Sequence, residues 1–308
     1  MKPLYPALLK SEEAFALKWA RRPENQTFFN HLMNVCHDFP SLLMAYSADA
    51  GLPEIAAEIA RSLLERGINV FLPSEPVPIC AFSQSMGARQ MPVGFYLSFN
   101  KTSGLYQLSG LTNHGGPIDE KDVLDKAPVF SDRQGVLGTT DFDRIYLNSL
   151  TGFADRFIED GPGLRSLKMP FPILEEKMRQ LPELAILFEK DPGGYTAEVS
   201  ADGQGVRIND PSGNPLATEV ICSKILKYLV KERMAAGTVA GPAGRVEPFC
   251  SAGEIIEIEG DLFDLNYHAA FSDLLVGWWD DGVIAHQGSS CFGDGILTTI
   301  YFLEALRS

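Results

Sequence analysis

Three short stretches of this 308-residue chain carry side chains from which a chemical site could be assembled. Gly94-Phe95-Tyr96-Leu97-Ser98-Phe99-Asn100-Lys101 offers a hydroxyl at Ser98, an amide at Asn100 and an ammonium at Lys101. Ser200-Ala201-Asp202-Gly203-Gln204-Gly205 holds one carboxylate, Asp202, among small residues. Ala285-His286-Gln287-Gly288-Ser289-Ser290 sets an imidazole, an amide and a hydroxyl close together. Each has an ordinary reading beside the chemical one. Ser98 reads as a strand-end or loop hydroxyl bonded to backbone, and Lys101 as a solvated loop lysine. Asp202 reads either as a turn aspartate capping its own loop or as a weak metal ligand. His286 reads either as an interdomain polar residue or as a group for ligand binding or proton transfer. Trp278-Trp279, followed by Asp280-Asp281, reads as a packed strand end or a partner-binding patch.

Common catalytic signatures are missing. There is no P-loop, no G-x-S-x-G elbow, no H-E-x-x-H and no dinucleotide G-x-G-x-x-G after the first strand. The five cysteines, Cys36, Cys80, Cys222, Cys250 and Cys291, are widely spaced and form no C-x-x-C pair, so they read as small buried hydrophobes. A formal net charge of -14 without a Lys/Arg cluster argues against a nucleic-acid partner. The same field disfavours phosphorylated ligands unless a local cation or Mg2+ site overrides it. No apolar run is long enough to span a membrane, and no basic-then-apolar leader opens the chain, so a cytoplasmic protein with no membrane partner is expected.

The elements that must position these residues alternate. Helical segments are expected over Glu12 to Arg22 and Thr27 to Val35. Leu42 to Tyr46 reads as a strand, and Leu52-Pro53 opens a helix whose apolar positions Ile55, Ile59 and Leu63 recur at i, i+4. Gly67 ends it, and Ile68 to Leu72 is the next strand of a parallel, right-handed βαβ unit. Ala81 to Ala88 follows as helix and Val93 to Phe99 as strand, then a Gly/Asn/Ser-rich loop ending at Asn113-His114-Gly115-Gly116. Beyond it come a helix over Asp141 to Phe157, a break at Gly161-Pro162-Gly163, a helix over Ile173 to Leu181, strands Thr196 to Val199 and Val206 to Ile208, and a helix over Ala217 to Lys231. A Gly/Pro-rich break covers Gly237 to Gly244, strands cover Val246 to Leu262, and an apolar helix over Ile296 to Leu306 closes the chain. No internal sequence repeat stands out.

Four of these places, taken in order, resemble the phosphohexomutase family of phosphoglucomutases and phosphomannomutases. Pro76-Val77-Pro78 lies where the family has P-T-P. Gly94 to Lys101 lies where it has the phosphoserine loop, G-[IV]-[MV]-[IL]-T-A-S-H-N-P. Spacing from Pro76 sets Ser98 on the phosphorylated serine, whereas spacing from Gly94 sets Asn100 there. In both frames the histidine is replaced, by Phe99 or by Lys101. Phe171-Pro172-Ile173-Leu174-Glu175-Glu176 resembles P-x-P-E-E. Ser200 to Gly205 resembles the metal loop D-G-D-A-D-R, with Ser200, Asp202 and Gln204 at the three aspartates and Gly205 at the arginine. Ala285 to Ser290, with Gly293-Asp294-Gly295-Ile296-Leu297 behind it, resembles the sugar-recognition loop G-E-x-S-G-H and its trailing helix.

This resemblance implies an α/β fold of phosphohexomutase-like three-layer domains, with the second reduced and the fourth, phosphate-binding, domain absent. The expected division is domain I over 1–140, a remnant of domain II over 141–195 in which the strand carrying the family's D-x-x-[HN]-G-x-G element is missing between Phe157 and Met169, and domain III over 196–308. It implies a catalytic set of Ser98, Asn100 and Lys101, substrate contacts at His286, Gln287 and Ser289, and Asp202 as a weak metal ligand. The family reaction needs a nucleophile, a metal, a base and cationic grips on phosphate. With so many replaced, the expectation is a catalytically inactive protein with a binding or regulatory role, taking a sugar phosphate or a protein partner in the interdomain cleft. No cofactor is expected, with Mg2+ the one implied if activity remains. The alternatives are a reduced phosphotransferase acting on a hexose phosphate through Ser98, and a self-associating, homo-oligomeric scaffold.

Overall fold

The computed structural model describes residues 9–10, 41–100, 104–118, 133–154, 163–246 and 254–307. The helices expected near residues 12–22 and 27–35, Lys101 and the Gly161-Pro162 break lie outside the described residues. The chain divides into two compact units, Met1–Phe142 and Asp143–Ser308.

In the first unit, strand β1 is Leu9–Lys10 and β2 is Ser41–Tyr46, followed by helix α1 (Leu52–Leu64), β3 (Asn69–Leu72), α2 (Ile79–Arg89), β4 (Val93–Asn100), β5 (Leu105–Thr112) and β6 (Leu137–Thr139). They form one sheet of order β1-β5-β4-β2-β3-β6. β2 is parallel to β3 and β4, and β5 returns antiparallel along β4. Because β2 lies inside the sheet with both faces covered, its residues are apolar without alternation. Leu42, Met44 and Tyr46 join Phe95 and Leu97 beneath Leu52, Ile55, Ile59 and Leu63 of α1. On the opposite face Tyr96 meets Phe82 of α2 at 5.9 Å between ring centroids. The result is three layers, helix, sheet and helix. Burying each large apolar side chain of α1 contributes about 1.5–3 kcal/mol, well above the tenths that separate ordinary helix propensities, so packing decides this helix.

One expectation is corrected here. Residues 105–112, read as loop on account of their glycine and serine, form the eight-residue strand β5. Tyr106, Leu108 and Leu111 are buried, and Gly110 lies opposite Phe95, so cross-strand packing against β4 overrides the loop-like composition.

The second unit runs through α3 (Asp143–Ala154), β7 (Leu164–Lys168), α4 (Pro172–Arg179), α5 (Pro182–Ala185), β8 (Tyr195–Val199), β9 (Val206–Asn209) and α6 (Thr218–Glu232). It continues with β10 (Thr238–Pro242), β11 (Ile255–Ile258), α7 (Leu262–Phe271), β12 (Leu274–Trp279), β13 (Val283–His286) and α8 (Gly295–Arg307). Its sheets have the orders β7-β8-β9 and β11-β10-β12-β13. Ala240, Ala285 and Leu274 pack with Leu265 of α7 on one face of the larger sheet, while His286 of β13 meets Tyr301 of α8 on the other.

Two further corrections fall in this unit. Gly237 to Gly244, read as a break, contains β10, flanked by β11 and β12 and parallel to both. Its Gly241 is there for space, because a Cβ at that position would lie 2.5 Å from the Trp278 indole nitrogen. The stretch between Phe157 and Met169 contains β7, parallel to β8. The line expected between residues 195 and 196 falls inside β8.

A repeat invisible in the sequence is present in the topology. β2-β3-β4-β5 and β10-β11-β12-β13 share one plan, in which the first strand is parallel to the second and third and the fourth returns antiparallel on the third. The β7-β8-β9 sheet carries only a parallel pair and an antiparallel return among the described residues.

Candidate functional site

In the first unit Ser98 and Asn100 lie within β4, opposite Gln107 and Leu105 of β5. Two residues apart on one strand, they share a face of the sheet. The amide of Gly104, at φ 66, donates to the Asn100 carbonyl and turns the chain into β5. Ser98 is therefore a half-buried ladder residue near the strand end and belongs to no separate loop. The adjoining end of β2 is acidic. The Ser47 hydroxyl donates to Asp49 at 2.7 Å, and the Tyr46 phenol is pushed above its usual range by burial first and then by Glu75 and Glu54.

In the second unit the turn between β8 and β9 is knitted into its surroundings. Gly205 bridges to Val283, the Val206 amide donates to the Gly282 carbonyl at 3.1 Å and the Gly295 amide to the Gly203 carbonyl at 2.9 Å. The turn carrying Asp202 thus touches both the β12–β13 hairpin and the start of α8. Gly205 has no room for a side chain, since a Cβ would lie 2.7 Å from the Asp281 carbonyl oxygen. The atom it would meet is backbone and cannot swing aside, so Gly205→Ala is expected to cost about 1–3 kcal/mol. Denaturant unfolding checks this, and a midpoint equal to the parent would mean that turn and hairpin are not packed together.

Asp202 accepts from the Ser200 hydroxyl at 2.6 Å and the Gln204 amide N–H at 3.1 Å on Oδ1, and from the Gln204 side-chain Nε2 at 3.0 Å on Oδ2. The Gly205 amide donates to Ser200 Oγ at 2.9 Å. The turn's polar groups are largely directed at one another.

The third stretch separates into inward and outward residues. His286 is 3% exposed, its Nε2 2.8 Å from Thr298 Oγ1 and its ring edge-on to Tyr301 at 5.1 Å. Its Nδ1 is buried without a hydrogen-bond partner, and burial alone pushes its pKa down to about 3. This neutral imidazole belongs to the packing between β13 and α8. Gln287 is exposed and donates to Asp273 at 2.8 Å. Ser289 donates to Asp294 at 3.3 Å.

Asp294, read in the sequence only as part of the trailing helix's start, was given no role there. It is fully buried, receives the Tyr146 hydroxyl at 2.8 Å and the Leu297 amide at 2.9 Å, and caps the first turn of α8. An aspartate directly before an apolar helical run was the available signal. Through Asp294 and Gly295 the structure brings Ser289 and the Asp202 turn to one end of α8. Trp278 is fully buried, with the Arg245 guanidinium 4.8 Å over its ring, so the tryptophan pair forms a packed strand end. Arg245 in turn bonds Asp280 at 2.7 Å and pairs with Glu219.

The topology and these turns define a phosphohexomutase-like α/β fold. Solved structures with this fold include a Burkholderia thailandensis protein of the phosphoglucomutase/phosphomannomutase family, with a TM-score of 0.67 and 12% identity over 96% of this chain and 78% of that one. A Thermus thermophilus protein assigned as a phosphomannomutase matches with a TM-score of 0.65 and 15% identity over 90% of this chain and 75% of that one. Parafusin, a phosphoglucomutase from Paramecium, matches in its open form with a TM-score of 0.63 and 10% identity over 98% of this chain and 71% of that one. At these identities the likeness is one of fold. No protein-family model matches the chain, and no curated protein matches it significantly. No helix among the described residues is long and apolar enough to cross a membrane.

Mg2+, which the resemblance implies for the 200–205 turn, does not fit the residues there. It calls for several oxygen ligands aimed at one point, whereas the groups directed at Asp202 include an O–H and two N–H donors. Among the described residues no group of three or more His, Cys, Asp or Glu side chains is arranged to hold a metal.

Proposed function

We propose that this chain is a catalytically inactive phosphohexomutase-like protein with a binding or regulatory role, engaging a sugar phosphate or a protein partner. The observation that carries the reading is the hydrogen-bonded Asp202 turn, in which Ser200 and Gln204 direct donors at the carboxylate. Phosphoryl transfer depends on positioned positive charge, and losing a metal removes orders of magnitude in rate. The first unit supports the same reading, since the groups around Tyr46 at the end of its sheet are carboxylates, Glu75 and Glu54. A phosphorylated sugar bound there would need a cation from elsewhere, and Lys101, next to Asn100 in the sequence, is a candidate.

The test pairs a coupled mutase assay with a thermal-shift titration using glucose 1-phosphate, glucose 6-phosphate, mannose 6-phosphate and glucose 1,6-bisphosphate, each with and without Mg2+. No turnover is expected. A stabilising shift with any of them, about 2.7 kcal/mol at 100 times the dissociation constant, identifies a sugar phosphate as the ligand. No shift directs the role to a protein partner. Mg2+-dependent turnover that disappears in Ser98→Ala would overturn the proposal in favour of a phosphotransferase.

A further inference from the structure

We infer that the turn over residues 200–205 has replaced a bound cation with a side-chain clasp, in which the Gln204 amide and the Ser200 hydroxyl hold Asp202 in the position a metal would otherwise set. The clasp has two arms. Ser200 Oγ donates to Oδ1 at 2.6 Å and itself accepts the Gly205 amide at 2.9 Å, so one hydroxyl links the start and end of the turn. Gln204 Nε2 donates to Oδ2 at 3.0 Å while its backbone amide donates to Oδ1 at 3.1 Å, so one residue grips both carboxylate oxygens. A carboxylate receiving these donors keeps its charge satisfied without an ion, and hydrogen bonds to a charged acceptor are about twice as strong as neutral ones.

The side-chain orientation of Gln204 has a further consequence. With Oδ2 as its partner, the amide must present its NH2 group, since a carboxylate only accepts. That leaves Gln204 Oε1 buried without a hydrogen-bond partner. Binding a cation would require the amide to turn over, directing Oε1 inward and breaking the grip on Oδ2. Closure of the turn and occupation by a metal are therefore alternatives.

What the clasp positions extends beyond the turn. Gly203 and Gly205 bond the start of α8 and the β12–β13 hairpin through backbone groups. A cation-dependent turn would make these neighbours cation-dependent too, whereas the clasp makes their arrangement indifferent to divalent ions and chelators. The inference stands apart from sugar-phosphate binding, and it is tested with cations and no sugar.

The experiment is isothermal titration of the full chain with MgCl2, MnCl2 and CaCl2, beside the Ser200→Asp/Gln204→Asp variant. The parent is expected to give no saturable heat up to about 10 mM, beyond the weak end of oxygen-ligand cation sites. The double variant, with three carboxylates in the turn, is expected to bind at least one of the ions with a Kd of about 1 mM or tighter. Saturable binding to the parent that Asp202→Asn removes would overturn the inference, as would a folded double variant with no gain. Should the variant not fold, hydrogen exchange of the Gln204 and Gly205 amides in the parent decides the matter. Protection unchanged between EDTA and divalent ion supports the clasp, and ion-dependent protection refutes it.

Discussion

Replacing Arg233 with methionine is expected to cost the second unit about 3–5 kcal/mol, the range for removing one partner of a buried ion pair. Arg233 follows the last turn of α6 and ties three helices together. Its Nη2 lies 3.2 Å from Glu304 of α8 and donates to the Phe153 carbonyl of α3 at 2.9 Å, while its Nε donates to the Tyr228 hydroxyl of α6 at 2.9 Å. The Glu304 side chain is 3% exposed, and the Tyr228 hydroxyl donates to it. Burial and that bond to Glu304 raise the Tyr228 phenol to about 12, with Arg233 pulling the other way, so the phenol remains a donor across the working pH range. Removing the guanidinium takes an ion-pair and hydrogen-bond partner from a carboxylate that is 3% exposed, which is costly in a low-dielectric surround. Arg233→Met/Glu304→Leu should recover most of the deficit, because an apolar pair of similar volume can replace a buried ion pair. Urea unfolding of the parent, the single and the double variant measures all three. A single variant within about 1 kcal/mol of the parent would show that the pair carries little of the fold, at the level of an exposed one.

His286 gives the second large effect, an acid sensitivity of the second unit. The folded imidazole has a pKa of about 3 against an ordinary 6.5. Between those values the unfolded chain binds a proton that the folded chain excludes. The stabilisation is therefore complete above about pH 6.5 and drains as pH falls toward 3, at a limiting slope of about 1.4 kcal/mol per pH unit. His286→Gln keeps a donor near Thr298 and removes the titration, so its stability curve should be flatter than that of the parent between pH 6.5 and 4. Parallel curves would mean that His286 charges in the folded state and is open to water. The same variant separates packing from recognition, because a packing residue alters stability while leaving ligand affinity intact.

How far a site can be read from a sequence differs between these two residues. The glutamine and serine of the Asp202 turn lie within four residues of each other, so their standing where the resemblance expects carboxylates was visible in the sequence. The clasp is a local consequence of that composition. His286 also stands beside polar neighbours in the sequence, but β13 is covered on both faces, so His286 is buried while Gln287, just past the strand, is exposed. Only the partner layer, α8 with Thr298 and Tyr301, decides that its ring is dry. Arg233 and Glu304 gave no signal at all, being 71 residues apart.

The sequence by itself determined the βαβ start, the amphipathic helices α1 and α6, the turn chemistry around Asp202 and the order of the phosphohexomutase-like stretches, because each rests on periodicity or on residues close in the chain. Tertiary structure decided the rest. Strands β5 and β10 have loop-like compositions, and they are strands because the sheets supply their hydrogen-bond partners and, at Gly241, because an indole occupies the space where a side chain would stand. The repeated four-strand plan is likewise invisible in the chain, since topology is fixed by which strands pair and many unrelated residues satisfy the same pairing.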